Sequence, residues 1–450
     1  MVDIPRMEDY EVFPNTGFLP SEFPLVKLPQ EYYQPWEILV NNLPSLILTK
    51  KIRWHIDTNL PILSTDKLKD IPEYRRAYQV LGFLAHAYIW GTDKPTNKLP
   101  EQIAKPLLEV SEYLRLPPIA TYAGLCLWNF KQIMPSDKEG EKWDLDNLTT
   151  INTFTGSIDE SWFYLVSVYF EYKGSFAIKA GLDALGHARD GDTKKLTESL
   201  QSMAQAIDSL GSVLMRMEEM CDPHVFYFRI RPYLAGWKNM GDVGLDKDGV
   251  IYGSETKPRS YAGGSNAQSS LIQFFDILLG IKHYPTGGRP VPHATTAPKD
   301  GENNFMNEMR SYMPGGHQDF LMKIQEITNI REYVLGRYDS NPELTLSYDA
   351  CLAMLKLFRD KHIQIVTRYI VLQSKQASKM GSTSTLRSGL AKSKSKSGEE
   401  RGTGGTALLP FLKQCRDETG DPAAGSWGKR ILSDGVMRLK YSKSNGINED

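Results

Sequence analysis

His362 stands in the middle of a helical stripe. Cys351, Leu355, Phe358, His362, Val366 and Tyr369 follow one another at spacings of 4, 3, 4, 4 and 3, which is one face of a helix. An imidazole on such an inward face needs a partner for each ring nitrogen. Two readings meet that need. One is a core histidine held by hydrogen bonds. The other is a metal ligand, in its sharpest form the single axial histidine of a haem iron. Arg359 lies one turn earlier on nearly the same face. It suits a salt bridge, and equally the carboxylate edge of a cofactor.

Other segments carry weaker signals. Phe163, Ser167 and Phe170 fall at i, i+4 and i+7, so a small hydroxyl sits between two aromatic rings on one helix face. That is a pocket floor, or ordinary core packing with the serine bonded to a carbonyl. In Phe226-Tyr-Phe-Arg-Ile-Arg-Pro-Tyr-Leu-Ala-Gly-Trp237 charge interrupts a run of aromatics. Arg231, with Arg229 as competitor, is a candidate to clamp a carboxylate through two parallel hydrogen bonds, or a plain exposed arginine. Gly263-Gly-Ser265 precedes a helix and can offer backbone N–H groups to a ligand edge. Gly402-Thr-Gly-Gly-Thr406 has the composition of a lid hinge. Neither is a phosphate loop, since no GxxxxGK[ST] occurs. HExxH and GxSxG are absent as well. His283, His293 and His317 fall on loops or helix starts and receive no chemistry.

The elements that must position these residues are helices. Helical patterns cover about 33–48, 71–92 and 101–114, and the Ser157-Ile-Asp-Glu160 capping box opens a helix through 173 and beyond. More follow at about 192–220, stopped by Asp222-Pro223, then at 268–281, 303–312, 317–336, 346–374 and 406–417. The stretch Phe226–Arg231 is open between strand and helix, and Pro232 would kink a helix there. Strand signals are few, so the expected class is all-α. Residues 1–30 read as an extended arm. The division expected is a small N-terminal helical domain over 1–134, a polar linker over 135–156, and a large domain over 157–450. Within the large domain, Ser, Lys and Gly dominate 375–405, a loop expected to be mobile. Its Lys392 to Lys396 run is the one basic cluster and reads as a solvated loop.

Bulk composition narrows the classes. With 53 basic and 54 acidic residues in 450, the chain lacks the basic excess of a nucleic-acid binder. Cys126, Cys221, Cys351 and Cys415 are far apart with no CxxC pair, against a disulfide framework or zinc cluster and in favour of a reducing compartment. The first residues lack a secretory pattern, and no apolar run nears the roughly 18 residues of a membrane span. A cytoplasmic protein binding neither nucleic acid nor membrane is expected.

The segments that bear the chemistry resemble the indoleamine 2,3-dioxygenase family. The matching stretches are Leu116-Pro-Pro-Ile119, Phe163 to Ser167, Pro223 to Lys238, Ala262-Gly-Gly-Ser-Asn-Ala-Gln-Ser-Ser270 and Phe275-Asp-Ile-Leu-Leu-Gly-Ile281. Met309-Arg-Ser-Tyr-Met-Pro314, Tyr348-Asp-Ala-Cys351, His362 to Ile370 and Gly402 to Thr406 continue the series. The resemblance implies a helical fold with a small domain over a large haem-binding one. It implies haem b with His362 as proximal iron ligand, and Arg359 with Asp276 as the charged pair beneath it. Phe226 and Arg231 would stack on the indole and bind the substrate carboxylate. Phe163 and Ser167 would form the distal pocket, with Tyr122 at its aromatic edge. Gly264 and Ser265 would form the wall beside the haem, and Thr403 would close over substrate. Asn266 departs from the family, in that vertebrate members carry a small residue there, and a larger polar side chain would shrink or rehydrate the pocket. The implied reaction inserts both atoms of O2 across the indole C2–C3 bond of L-tryptophan or related indoleamines to give N-formylkynurenine. An electron donor keeps the iron ferrous, and a monomer is expected. The alternative is a haem-binding regulatory or sensor protein with little tryptophan turnover.

Overall fold

The computed structural model describes residues 4–289, 304–379, 400, 402–403 and 407–433. Helices dominate, and the strands among the described residues are two or three residues long, in two two-stranded pairs. The all-α expectation therefore holds.

The helix Ile158–Asp190 runs for 33 residues. Its start is fixed as the capping box predicts: the Ser157 hydroxyl accepts from the Glu160 N–H. The Glu160 carboxylate turns back to accept from the N–H groups of Phe154 and Thr155, at 2.8 and 2.7 Å. Gly191 ends it in the left-handed conformation. This helix borders two hydrophobic clusters. The first gathers residues 19–154 around the buried helix Ile71–Trp90 and reaches Tyr164–Tyr172, Phe226–Ala262 and Tyr369. The second joins the far half of Ile158–Asp190 to Thr193–Met215, Ser270–Leu278, Gly315–Ile327 and Pro342–Val366.

Two stretches pack more closely than their composition suggests. Residues 135–156 are no solvated tether. Residues 130–132 and 148–150 pair antiparallel, and Trp143, Leu145, Leu148 and Phe154 are buried in the first cluster. Their spacing follows an irregular backbone, so no period betrays them in the sequence. The N-terminal arm packs as well: Met7, Val12 and Phe18 are buried in the second cluster, with Phe18 edge-on to His317.

Elsewhere the boundaries fall near their predicted places. The pattern at 346–374 is one helix, Pro342–Val366, extended by a π turn at Thr367–Val371 and the helix Leu372–Lys379. The pattern at 317–336 divides into Gly315–Ile327 and Ile330–Leu335. The Phe226–Arg231 ambiguity resolves as helical: a π turn at Phe226–Ile230 passes into a 3₁₀ turn at Arg231–Leu234. Pro232 has no N–H with which to continue an α-helix, so the backbone changes pitch there. Lys392 to Lys396, His293, most of the 375–405 loop and Gly404–Thr406 lie outside the described residues.

Candidate functional site

One cavity collects nearly all the residues singled out above. Tyr122, Phe163, Ser167, Phe226, Arg231, Gly264, Ser265, Asn266, Arg359, His362 and Thr403 line it. They come from six separate stretches of chain. Asp276 stands behind Arg359, outside the lining.

Backbone irregularity shapes the wall. Four π turns occur among the described residues, and three of them border this cavity. Ala123–Leu127 brings Leu125 and Cys126, Phe226–Ile230 brings Phe226, and Thr367–Val371 brings Tyr369 and Ile370. A π turn widens the helix and re-aims side chains, and such turns concentrate at functional sites.

His362 presents its ring to the cavity from Pro342–Val366. Its ring makes no hydrogen bond among the described residues. Burial, aided by Arg359, pushes its pKa down to about 4, so the ring is neutral and keeps a lone pair for a ligand. Arg359 is occupied: one terminal nitrogen donates to both oxygens of Asp276, at 2.7 and 2.8 Å. Its other terminal nitrogen donates to the Thr419 hydroxyl. Burial alone would raise the Asp276 carboxyl, but Arg359 and His283 hold it below the usual range.

Across the cavity the Phe163 and Phe226 rings meet with centroids 4.8 Å apart, and Tyr369 stands edge-on to Phe226 at 5.8 Å. Ser167 is 8% exposed, and its hydroxyl points back to the Phe163 carbonyl at 3.4 Å, a long contact. The two arginines differ in burial. Arg229 is exposed, whereas Arg231 is 1% exposed and its guanidinium lies 5.3 Å from the Tyr227 ring centroid. Gly264 is buried on the wall, and the Ser265 hydroxyl accepts from Ala267 N–H. Asn266 lines the cavity with an exposed side chain. The Thr403 carbonyl accepts from Gly263 N–H at 3.1 Å, which docks the Gly402–Thr403 turn on the glycine wall.

Several supporting residues carried no readable signal in the sequence. Gln268 accepts from Tyr122 N–H and donates to the Gly263 carbonyl, both at 2.9 Å, so it ties two walls together. His86 joins two more: Nδ1 lies 2.6 Å from the Tyr233 carbonyl, and Nε2 accepts from Ala120 N–H. Glu171 accepts from Tyr122 and Ser269 hydroxyls at 2.9 and 2.6 Å. His283, passed over as a loop residue, lies between Asp276 and Glu418. A lone polar residue in an apolar run gives no hint of which remote backbone it will meet.

The arrangement suits a flat aromatic cofactor with anionic edges: an apolar slot, a neutral histidine ring without a hydrogen-bond partner among the described residues, and a buried arginine one turn away. No helix among the described residues is long and apolar enough to cross a membrane.

Comparison with known proteins agrees with this picture. The profile of the indoleamine 2,3-dioxygenase family matches residues 6–422. The chain is 48% identical to an indoleamine 2,3-dioxygenase of Saccharomyces cerevisiae, over 93% of this chain and 94% of the relative. It is 38% identical to a 6-hydroxytryptophan 2,3-dioxygenase of Fusarium equiseti, over 92% and 96%. Indoleamine 2,3-dioxygenase 1 of Mus musculus is 35% identical, over 94% and 96%. The chain therefore belongs to the indoleamine 2,3-dioxygenase family of oxidoreductases.

Proposed function

We propose that the chain is a haem-dependent dioxygenase that opens the indole ring of L-tryptophan, and of related indoleamines, to N-formylkynurenine, the first step of the kynurenine pathway leading to NAD. The observation that carries this reading is the neutral His362 ring, without a hydrogen-bond partner among the described residues, facing an apolar cavity that also presents a buried arginine. His362 would hold the iron of haem b, with Arg359 and Asp276 beneath it. When bound, the haem supplies the iron at which dioxygen is activated, kept ferrous by an electron donor.

The remaining work falls to the side chains. Arg231 fixes the substrate carboxylate by charge-assisted hydrogen bonds inside an apolar wall, where they are strong. Phe163 and Phe226 hold the indole plane. Tyr122, Gly264, Ser265 and Asn266 bound the pocket, and Thr403 closes over the ammonium side. Ser167, its hydroxyl turned toward the Phe163 carbonyl, would orient oxygen or water rather than abstract a proton. No strong base is required, because the indole nitrogen's own lone pair drives attack at the ring. The protein thus contributes proximity and exclusion of water. The proposed organisation keeps a small N-terminal unit to 134 and a large haem-binding unit from 157, acting as a monomer. Four buried free cysteines suit the reducing cytoplasm.

The test is the visible spectrum of the haem-supplemented protein beside His362→Ala. A Soret band that the variant loses, with tryptophan turnover in wild type, is expected. No Soret band in wild type removes the reading. Haem without turnover transfers it to the sensor alternative, for which the polar Asn266 in the pocket is the motive.

A further inference from the structure

His283 lies between two carboxylates, with its side chain 6% exposed. Nδ1 is 2.6 Å from Glu418 Oε2, and Nε2 is 3.1 Å from Asp276 Oδ2. A neutral imidazole has one N–H and can donate to one of them only. An imidazolium, which donates at both nitrogens, matches an acceptor on each side. Glu418 is wholly buried, and its other oxygen accepts from Gln414 Nε2 at 2.7 Å and Tyr284 N–H at 3.2 Å. Asp276 also receives Arg359. Two anions and two cations thus form a closed buried set, the arrangement in which buried charge is tolerated.

This set joins three helices. Asp276 belongs to Ser270–Leu278, Arg359 to Pro342–Val366 one turn before His362, and Glu418 ends Leu408–Glu418. The other end of Leu408–Glu418 reaches the cavity through Leu408, Phe411 and Leu412 and follows the Gly402–Thr403 turn docked on Gly263. We propose that His283, acting through Glu418 and Asp276, is a positioning residue for the reaction: its imidazolium locks Leu408–Glu418 against the helix that carries Arg359 and His362, and so holds the cover of the substrate pocket in register with the haem ligand. The inference rests on the haem-dioxygenase reading.

The charged and titratable groups around the ring are Asp276, Arg359, Cys415, Glu418 and Tyr284, with Arg289 beyond Glu418. Burial alone would lower the His283 pKa, but Asp276, Cys415 and Glu418 raise it well above the ordinary value. A raised folded-state pKa makes the lock present at neutral pH and lost as pH climbs through that pKa.

The experiment uses full-length holoenzyme as wild type, His283→Gln, Glu418→Gln and the double variant. The readouts are the Soret band, KM and kcat for tryptophan from pH 6 to 9.5, and amide exchange over 408–418. Expected are an intact Soret band, a KM raised roughly tenfold in His283→Gln as for one lost charge-assisted hydrogen bond, and faster exchange in 408–418. The alkaline rise of KM in wild type should vanish in the double variant, with KM recovered to within about threefold because the unpaired carboxylate is gone. Unchanged KM, pH profile and exchange in His283→Gln overturn the proposal. If that variant does not fold, the same three readouts on Glu418→Gln decide it. His283, Cys415 and Glu418 also place ligand atoms within 4.8 Å of one another. Stoichiometric zinc in the wild type, lost in Cys415→Ser, overturns the imidazolium in favour of a metal. Absence of a Soret band in wild type fails the haem reading itself, a separate result.

Discussion

Arg231 and Glu171 answer the same burial in opposite ways, one keeping its charge and the other favouring its neutral form. Arg231 is desolvated, which lowers its pKa, yet it keeps its charge because an arginine titrates far above neutrality. Arg231→Ala should raise KM for tryptophan by roughly 10- to 100-fold, the loss of charge-assisted hydrogen bonds, with the Soret band retained. Unchanged KM would remove the assigned role. Lysine is a poor substitute, since a point charge does not reproduce a fork. Glu171 is pushed up to about 7 by burial, against the two hydroxyls that donate to it. Its Oε2 has no partner among the described residues. The folded state thus prefers the protonated acid, and stability falls as pH rises from the unfolded-state value toward 7. Urea denaturation at pH 5 and pH 8 should show wild type losing up to about 3 kcal/mol, with Glu171→Gln nearly level. Parallel losses would refute the assignment.

At the scale of elements, the site depends on two backbones crossing at contact distance. A Cβ on Gly236 would strike Gly263 N, and a Cβ on Gly263 would strike the Leu234 carbonyl. The Trp237 and Lys238 N–H groups both donate to the Tyr261 carbonyl across this crossing. It brings the chain after Arg231 against the wall of Gly264 and Ser265. Gly263→Ala must part the strands, so a loss of about 1–3 kcal/mol is expected, measured by denaturant midpoint. It should come with weakened substrate binding, because Thr403 docks on the same Gly263 N–H. A variant with wild-type stability would show that the crossing relaxes freely.

Across the whole molecule, the N-terminal cluster and the cavity fold as neighbours that share walls. Arg76 is fully buried and donates to Glu37 at 3.0 and 2.6 Å, to Gln79 at 2.9 Å and to Asn152 at 2.6 Å. It ties Gln34–Asn41 and Ile71–Trp90 to the segment that leads into Ile158–Asp190. Arg76→Ala leaves Glu37 buried without its cation, a loss of roughly 3–5 kcal/mol, read as a lower Tm. The His362 Soret position should not move, since no residue of this network lines the cavity. A shifted band would mean that this network is coupled to the cavity more closely than its contacts indicate.

The helical class, most helix positions and the inward face of His362 were legible in the sequence because each follows from a local rule. A 3.6-residue period marks a buried stripe, Ser157 and Glu160 mark a start, and Asp222-Pro223 marks a stop. The residues that meet in the cavity were legible as motifs that match a family, one by one, from Tyr122 to Thr403. What local rules could not supply was pairing at a distance. Whether Arg229 or Arg231 turns inward depends on the pitch change that Pro232 imposes. The burial of Trp143 and Phe154 depends on a hairpin with no period of its own. Gln268, His86 and Glu171 find their partners 146, 147 and 98 residues away, and His283 meets Glu418 across 135 residues. Sequence alone determined which side chains face a core wherever a helical period runs. Only the tertiary structure decided which buried charges and amides would meet, because their partners are set by how the helices pack and not by their spacing along the chain.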